Sequence, residues 1–293
     1  MADSAAVPAR RTNLLAVILR APPVRRFFRN RMAVFGLVLG LLLILVAVFA
    51  PYIADSPPAR QNLRARLQAP SAQHWFGTDE FGRSVFSRVV YGARVSLLTG
   101  TIPVAVAGII GTLLGLLAGY YRGWLDSLLM RIMDVLLAFP SILLALAIVG
   151  TLGPGLTNAV IAVAIVSIPE YARIVRSVVL GAREEEFVQA ATALGVRTPG
   201  KMFRHILPTA LGPLSVQASL GVGYAILSLA GLSFLGLGIQ PPAADWGEML
   251  NRGRNFLPDS NWLLIFPGLA ISVAVLAFNL VGDGLRDALD PRD

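Results

Sequence analysis

Gly195, Gly200 and Lys201 stand at the G-x-x-x-x-G-K spacing with which a loop of backbone amides cradles a phosphate. The pattern ends there. The next residue is Met202, where the magnesium-binding hydroxyl is required, and no buried-strand pattern precedes Gly195. A metal centre would need converging imidazole, thiolate or carboxylate donors. The chain has no cysteine and two histidines, His74 and His205, which the topology below puts on opposite sides of a membrane. Asp134 and Glu170 are the acids that fall on apolar runs, each near the same side of the membrane, so the mid-membrane is almost free of charge. Proton- and ion-coupled carriers depend on charges placed there. No nucleophile motif or general acid pair appears. The residues therefore describe a non-enzymatic chain with no cofactor, no metal and no fuel site of its own.

The elements around these residues are membrane spans. Over 293 residues the sequence is 55% hydrophobic with mean hydropathy +0.68, more apolar surface than a soluble domain of this size could bury. Charged residues are only 14%, yet the net charge is +8, and Lys201 is the only lysine. The arginines follow loop position, which indicates membrane orientation rather than nucleic-acid binding. Residues 1–31 carry seven arginines and one acid, and Leu14 to Leu19 beside them predict an interfacial helix broken at Pro22 and Pro23.

Met32 to Ala50 is long enough for a span of ~20 residues and is read as a retained anchor, because a signal peptide has a shorter apolar region, about 7–15 residues, behind a shorter basic lead. Residues 51–94 form a polar loop, and 95–293 the remaining core. Further spans are expected at 95–120, 132–150, from 159 onward with an inner end blurred by Pro169 and Glu170, at 211–237 and at 262–281. Gly111, Gly115 and Gly119, four apart, place glycine on one face of the second span for close helix contact. With the N-terminus inside, the inner segments hold 17 of the 25 Lys and Arg, which supports six helices with both termini inside.

Residues 184–208 are the longest polar stretch between apolar runs in the second half. Phe187, Ala191 and Leu194 share a helical stripe, Glu184 to Glu186 sit where a helix N-terminus favours negative charge, and Gly195 stops the helix. Thr198 as cap and Pro199 begin a second short helix, and Pro208 restarts the chain. Two readings of this elbow stand on the pattern: docking into a partner's groove, with Ala190 and Ala191 admitting a close backbone, or resting on its own bundle or on lipid.

The elbow resembles the cytoplasmic coupling loop of binding-protein-dependent ABC importer permeases, with the Glu-Ala-Ala pattern standing as Gln189, Ala190 and Ala191, followed by Gly195, Leu207 and Pro208. Gln189 replaces the first Glu and His205 an Ile of that pattern. In the outer loop, His74 to Arg83, with Gly77, Thr78, Asp79, Gly82 and Arg83, and Tyr91 to Arg94 are similar to the signature of the C-type subunit of dipeptide, oligopeptide and nickel permeases. The resemblance implies an all-α type I importer permease in a bacterial inner membrane, forming half a solute pathway. It implies partners as well: a B-type permease subunit, two ATPase subunits that hold ATP and magnesium, and an external solute-binding protein. Glu186, Phe187, Gln189, Ala190, Ala191, Leu194, Gly195, Leu207 and Pro208 would then contact the ATPase. The competing reading is a self-contained secondary carrier or channel, which would transport alone and bind no ATPase at the elbow.

Overall fold

The structure is a computed structural model that describes residues 22–289. The interfacial helix expected around Leu14 to Leu19 lies outside the described residues. The described chain is helical throughout apart from loops and one isolated bridge. Its elements are α1 (Pro22–Arg29), α2 (Arg31–Val48), the single turn α3 (Ala50–Ile53), α4 (Val85–Tyr121), α5 (Gly123–Leu137), α6 (Ser141–Leu152), α7 (Leu156–Ala182), α8 (Glu186–Ala193), α9 (Thr198–Gly200), α10 (Leu207–Phe234), α11 (Trp246–Gly253) and α12 (Trp262–Leu289). Among the described residues five helical stretches are long and apolar enough to cross a membrane. The pair α5 and α6, bent by 92° at its break, makes a sixth if it is counted as one broken span.

Two expected boundaries move for local reasons. The polar loop ends at Ser84 rather than Arg94, because the Ser84 hydroxyl accepts from the Ser87 amide and starts α4 ten residues early. At 37 residues α4 is about 55 Å long, well beyond a ~30 Å hydrocarbon core, so it projects at one or both ends. The span expected at 132–150 is instead two helices, broken at Ala138 to Pro140. Proline lacks an amide donor and disfavours helical backbone in the residue before it, so Phe139 and Pro140 end one helix and begin another. By contrast, α7 runs unbroken through Pro169 to Ala182, which completes the continuation expected of the fourth span.

The core is organised on α4 against α7. A Cβ added at Gly111 would lie 2.6 Å from Tyr171 Cβ, one at Gly115 2.5 Å from the Ala172 carbonyl, and one at Gly119 2.8 Å from Val179 Cβ. The glycine face is thus filled by the backbone of α7, the packing role expected of it. Tyr171, 2% exposed, sits between Gly111 of α4 and Gly221 of α10. On the other flank α12 packs against α10 and α2, where Gly36 meets Leu280. Asn30 ties the two chain ends of this layer by capping α2 and donating to Asp287 at 3.0 Å.

Replacing Gly115 with leucine should drive α4 off α7 at a cost of at least about 1–3 kcal/mol, the usual range for overpacking. A drop in the detergent melting temperature of Gly115→Leu checks this, with Gly40→Leu, a position with nothing within 4 Å, unchanged.

Candidate functional site

At the end of the molecule where α4 begins, the His74 to Arg83 stretch folds into a tight knot. Gly77, at φ +75°, allows the chain to pass against Gln68 and Trp262, and Gly82, at φ +69°, lies where any Cβ would overlap the Asn62 carbonyl. Thr78 is wholly buried, donating to the Ala65 carbonyl and accepting from the Gln68 amide, while its own carbonyl accepts from the Trp262 indole at 3.2 Å. Asp79 accepts from the Phe81 and Arg83 amides, both at 2.9 Å, and pairs with the Arg83 guanidinium at 2.6 Å. Phe76 stacks on Phe266 with ring centroids 3.9 Å apart.

The knot is locked to α11 by charge. Arg88, on the first turn of α4, is 2% exposed and donates to Glu248 at 2.8 Å. Arg252 reaches Glu80 at 2.9 Å and also pairs with Glu248. Asp245 caps α11 by accepting from the Glu248 amide at 3.0 Å, and the Trp246 indole donates to the Val89 carbonyl at 2.9 Å beneath Gly92. Burial pushes the carboxyls of Asp245 and Glu248 up, and the Arg88 and Arg252 guanidiniums pull Glu248 back.

Arg88, Asp245, Glu248 and Arg252 were not among the sequence candidates. Their signal was present in the Asp245 to Glu248 capping spacing and the i,i+4 step to Arg252. Arg94 lies apart from the knot and donates to the Ala47 and Val48 carbonyls at the end of α2, at 2.6 and 3.1 Å.

At the opposite end, α8 forms the elbow. It stops where expected: Gly195 takes φ +76°, its amide bonds the Thr192 carbonyl and the Val196 amide the Ala191 carbonyl. Ala191 and Val188 face inward, Ala191 at 5% exposure and Val188 packed with Val175, Val179, Met202 and Ile206. The predicted outward stripe is corrected accordingly: Phe187, Ala190 and Leu194 face out, with Leu194 83% exposed, and Ala191 is not available to a partner. Glu186 and Gln189 are exposed beside them, and Gln189 donates to the Glu184 carbonyl.

The elbow is braced on α4. Arg122 pairs with Glu184 at 2.9 Å, and Arg183 donates to the Tyr120 carbonyl at 2.6 Å and sits over the Tyr120 ring. The second helix is capped by Arg197, with Thr198 and Pro199 inside its first turn, and it does not restart at Pro208. A π-helical turn over Lys201–Ile206 joins it to Leu207 and Pro208, the first turn of α10, as one helical stretch from Thr198 to Phe234.

The other candidates separate as their chemistry requires. Lys201 lies over Tyr120 and contacts Thr192, within helix rather than a phosphate loop. His74 belongs to the knot and His205 to the elbow, and among the described residues no group of three or more His, Asp or Glu is placed to hold a metal. Asp134 pairs with Arg173 at 2.6 Å. Glu170, expected near a helix end, stands midway along α7 because that helix continues to Ala182. It accepts from Gln217 at 2.7 Å.

Known proteins resemble this chain over most of its length. Residues 111–292 match the binding-protein-dependent transport system inner membrane component, and residues 24–70 the N-terminal transmembrane domain of oligopeptide transport permease C. The chain is 54% identical to the dipeptide transport system permease protein DppC of Alkalihalophilus pseudofirmus, across 90% of this chain and 87% of that one. It is 50% identical to the glutathione transport system permease protein GsiD of Escherichia coli O6:K15:H31, across 92% and 89%. A crystal structure of an amino acid ABC transporter with histidines aligns at 18% identity and a TM-score of 0.49, over 68% of this chain and 90% of that one. The chain belongs to the binding-protein-dependent transport system inner membrane components. It is a multi-pass bacterial inner-membrane permease subunit of the C type, the membrane part of an ABC transport complex and not itself catalytic.

Truncating Glu248 to alanine leaves Arg88 buried without its closest partner, and loss of one member of a buried pair costs about 3–5 kcal/mol. Glu248→Ala should therefore lower the melting temperature of the purified complex far more than Arg204→Ala, an exposed arginine outside the latch.

Proposed function

We propose that this chain forms half of the translocation pathway of an ATP-driven importer for dipeptides, oligopeptides or related solutes such as nickel chelates. Its other half is a B-type permease subunit, two ATPase subunits power it, and an extracytoplasmic binding protein delivers solute. Both termini and the 184–208 elbow lie in the cytoplasm on this reading, and the knot at the head of α4 faces outward to the binding protein. The observation that carries the coupling role is the outward apolar stripe of Phe187, Ala190 and Leu194 on a helix braced to α4 and joined to α10. An exposed apolar face of this kind, at the membrane edge and rimmed by Glu184 to Glu186, fits a protein groove. Closure of the ATPase pair around ATP would carry the elbow with it, and α7 and α10 would tilt together. The charge distribution supports the orientation, and relatives named for dipeptide and glutathione transport support a peptide-like solute.

A self-contained carrier is the second reading, and the mid-helix acid Glu170 is the observation in its favour. The two part on the elbow. Ala190→Arg adds bulk and charge to an exposed position without disturbing the inward packing that Val188 makes. It should abolish co-purification of the ATPase subunits and lower ATP-dependent uptake at least tenfold, with membrane levels unchanged. Uptake and co-purification equal to the parent would refute the coupling role.

A further inference from the structure

α7 carries a polar stripe on its exposed face where a lipid-facing helix would be apolar. Glu170, Arg173 and Ser177, at steps of three and four, all face out of the described chain. Glu170 stands about 21 Å from the start of α7 and about 18 Å from its elbow end, and Ser177 lies about 10 Å further toward the elbow. Two other helices add to the stripe. Asp134 of α5 pairs with Arg173 while both side chains stay about half exposed, at 54% and 51%, and Gln217 of α10 donates to Glu170. Arg173 and Asp134 cancel. Glu170 is left with a neutral amide, and among the described residues no cationic side chain lies within 4 Å of it. A carboxylate midway along a spanning helix is costly against lipid, and such groups face water or protein.

We propose that this stripe lines a water-filled, net acidic vestibule, the elbow-side half of the solute path, and that Glu170 is the group that meets the cationic end of a passing solute, such as the ammonium of a peptide. The proposal rests on the importer reading for the identity of the solute. The charge pattern itself selects the occupant: one uncompensated negative charge at the deepest point favours a cation over an anion, and a low-dielectric wall strengthens that preference.

The absence of cysteine makes the test direct, because a single introduced thiol has no background on this chain. Ser177→Cys, Glu170→Cys and the apolar-face control Val38→Cys, exposed on α2, are prepared in the assembled complex in membrane vesicles, together with their unsubstituted parent. Each is reacted with a cationic trimethylammonium methanethiosulfonate and an anionic sulfonate counterpart. Ser177→Cys and Glu170→Cys should react at least tenfold faster than Val38→Cys. At Ser177→Cys the cationic reagent should be favoured, and adding Glu170→Gln should lower the cation-to-anion rate ratio about threefold or more. Labelling no faster than Val38→Cys would show the stripe sealed by lipid or by a partner helix and would overturn the proposal. A ratio unmoved by Glu170→Gln would overturn the role given to Glu170. ATP-dependent uptake by the unsubstituted complex, measured alongside, separates these failures from failure of the importer reading, since labelling requires no transport.

Discussion

The glycine face of α4 is the constraint on which the rest depends. Lipid tails offer no hydrophobic driving force between helices, so association must come from close contact, and Gly111, Gly115 and Gly119 bring the α7 backbone to the surface of α4. Because α4 is longer than the membrane is thick, the same rod continues to the knot at its head and the elbow bracing at its foot. Ser84 and Arg88 anchor one end, and Tyr120 with neighbouring Arg122 the other. A displacement of the elbow therefore acts on a helix pair that is already one packed body.

Charge is distributed to suit that rod. At the head, Asp79, Glu80, Arg83, Arg88, Glu248 and Arg252 form a buried network in which acids and arginines alternate. Such networks add little over apolar packing but penalise any arrangement that leaves one member unpaired, so they fix how the knot sits on α11. At the foot, the pairs are exposed, Arg122 with Glu184 and Arg173 with Asp134, and each contributes at most about 1 kcal/mol. The head is held in one geometry, and the foot is held less tightly. On the proposed reading, those are the requirements of an outward docking platform and an inward lever.

Hydrophobic length and glycine spacing made the spans legible in the sequence, and Gly195 marked the end of the elbow helix because a left-handed cap has few alternatives. Four features were not legible. The break at Phe139 and Pro140 was hidden inside an unbroken apolar run, where composition says span whether the helix is straight or bent. Ala191 shares a helical stripe with Phe187 and Leu194 by spacing, and only the packing of Val188 on Val175 and Val179 decides which face of α8 turns in. Glu170 looked terminal because Pro169 precedes it, yet the helix passes through that proline, as spanning helices do when neighbours support the freed carbonyl. The latch partners Arg88 and Glu248, 160 residues apart in sequence, meet only through the tertiary fold.

On the proposed reading, this chain has no driving force of its own and is moved by nucleotide hydrolysis on its partners. Accumulation of a peptide solute against its gradient, in proteoliposomes holding this chain and its partner permease with the ATPase subunits and binding protein supplied or withheld, tests it most directly. Uphill accumulation should require the ATPase subunits and ATP together, and should ignore an imposed proton gradient. Accumulation driven by a proton or sodium gradient with the ATPase subunits absent would contradict the account.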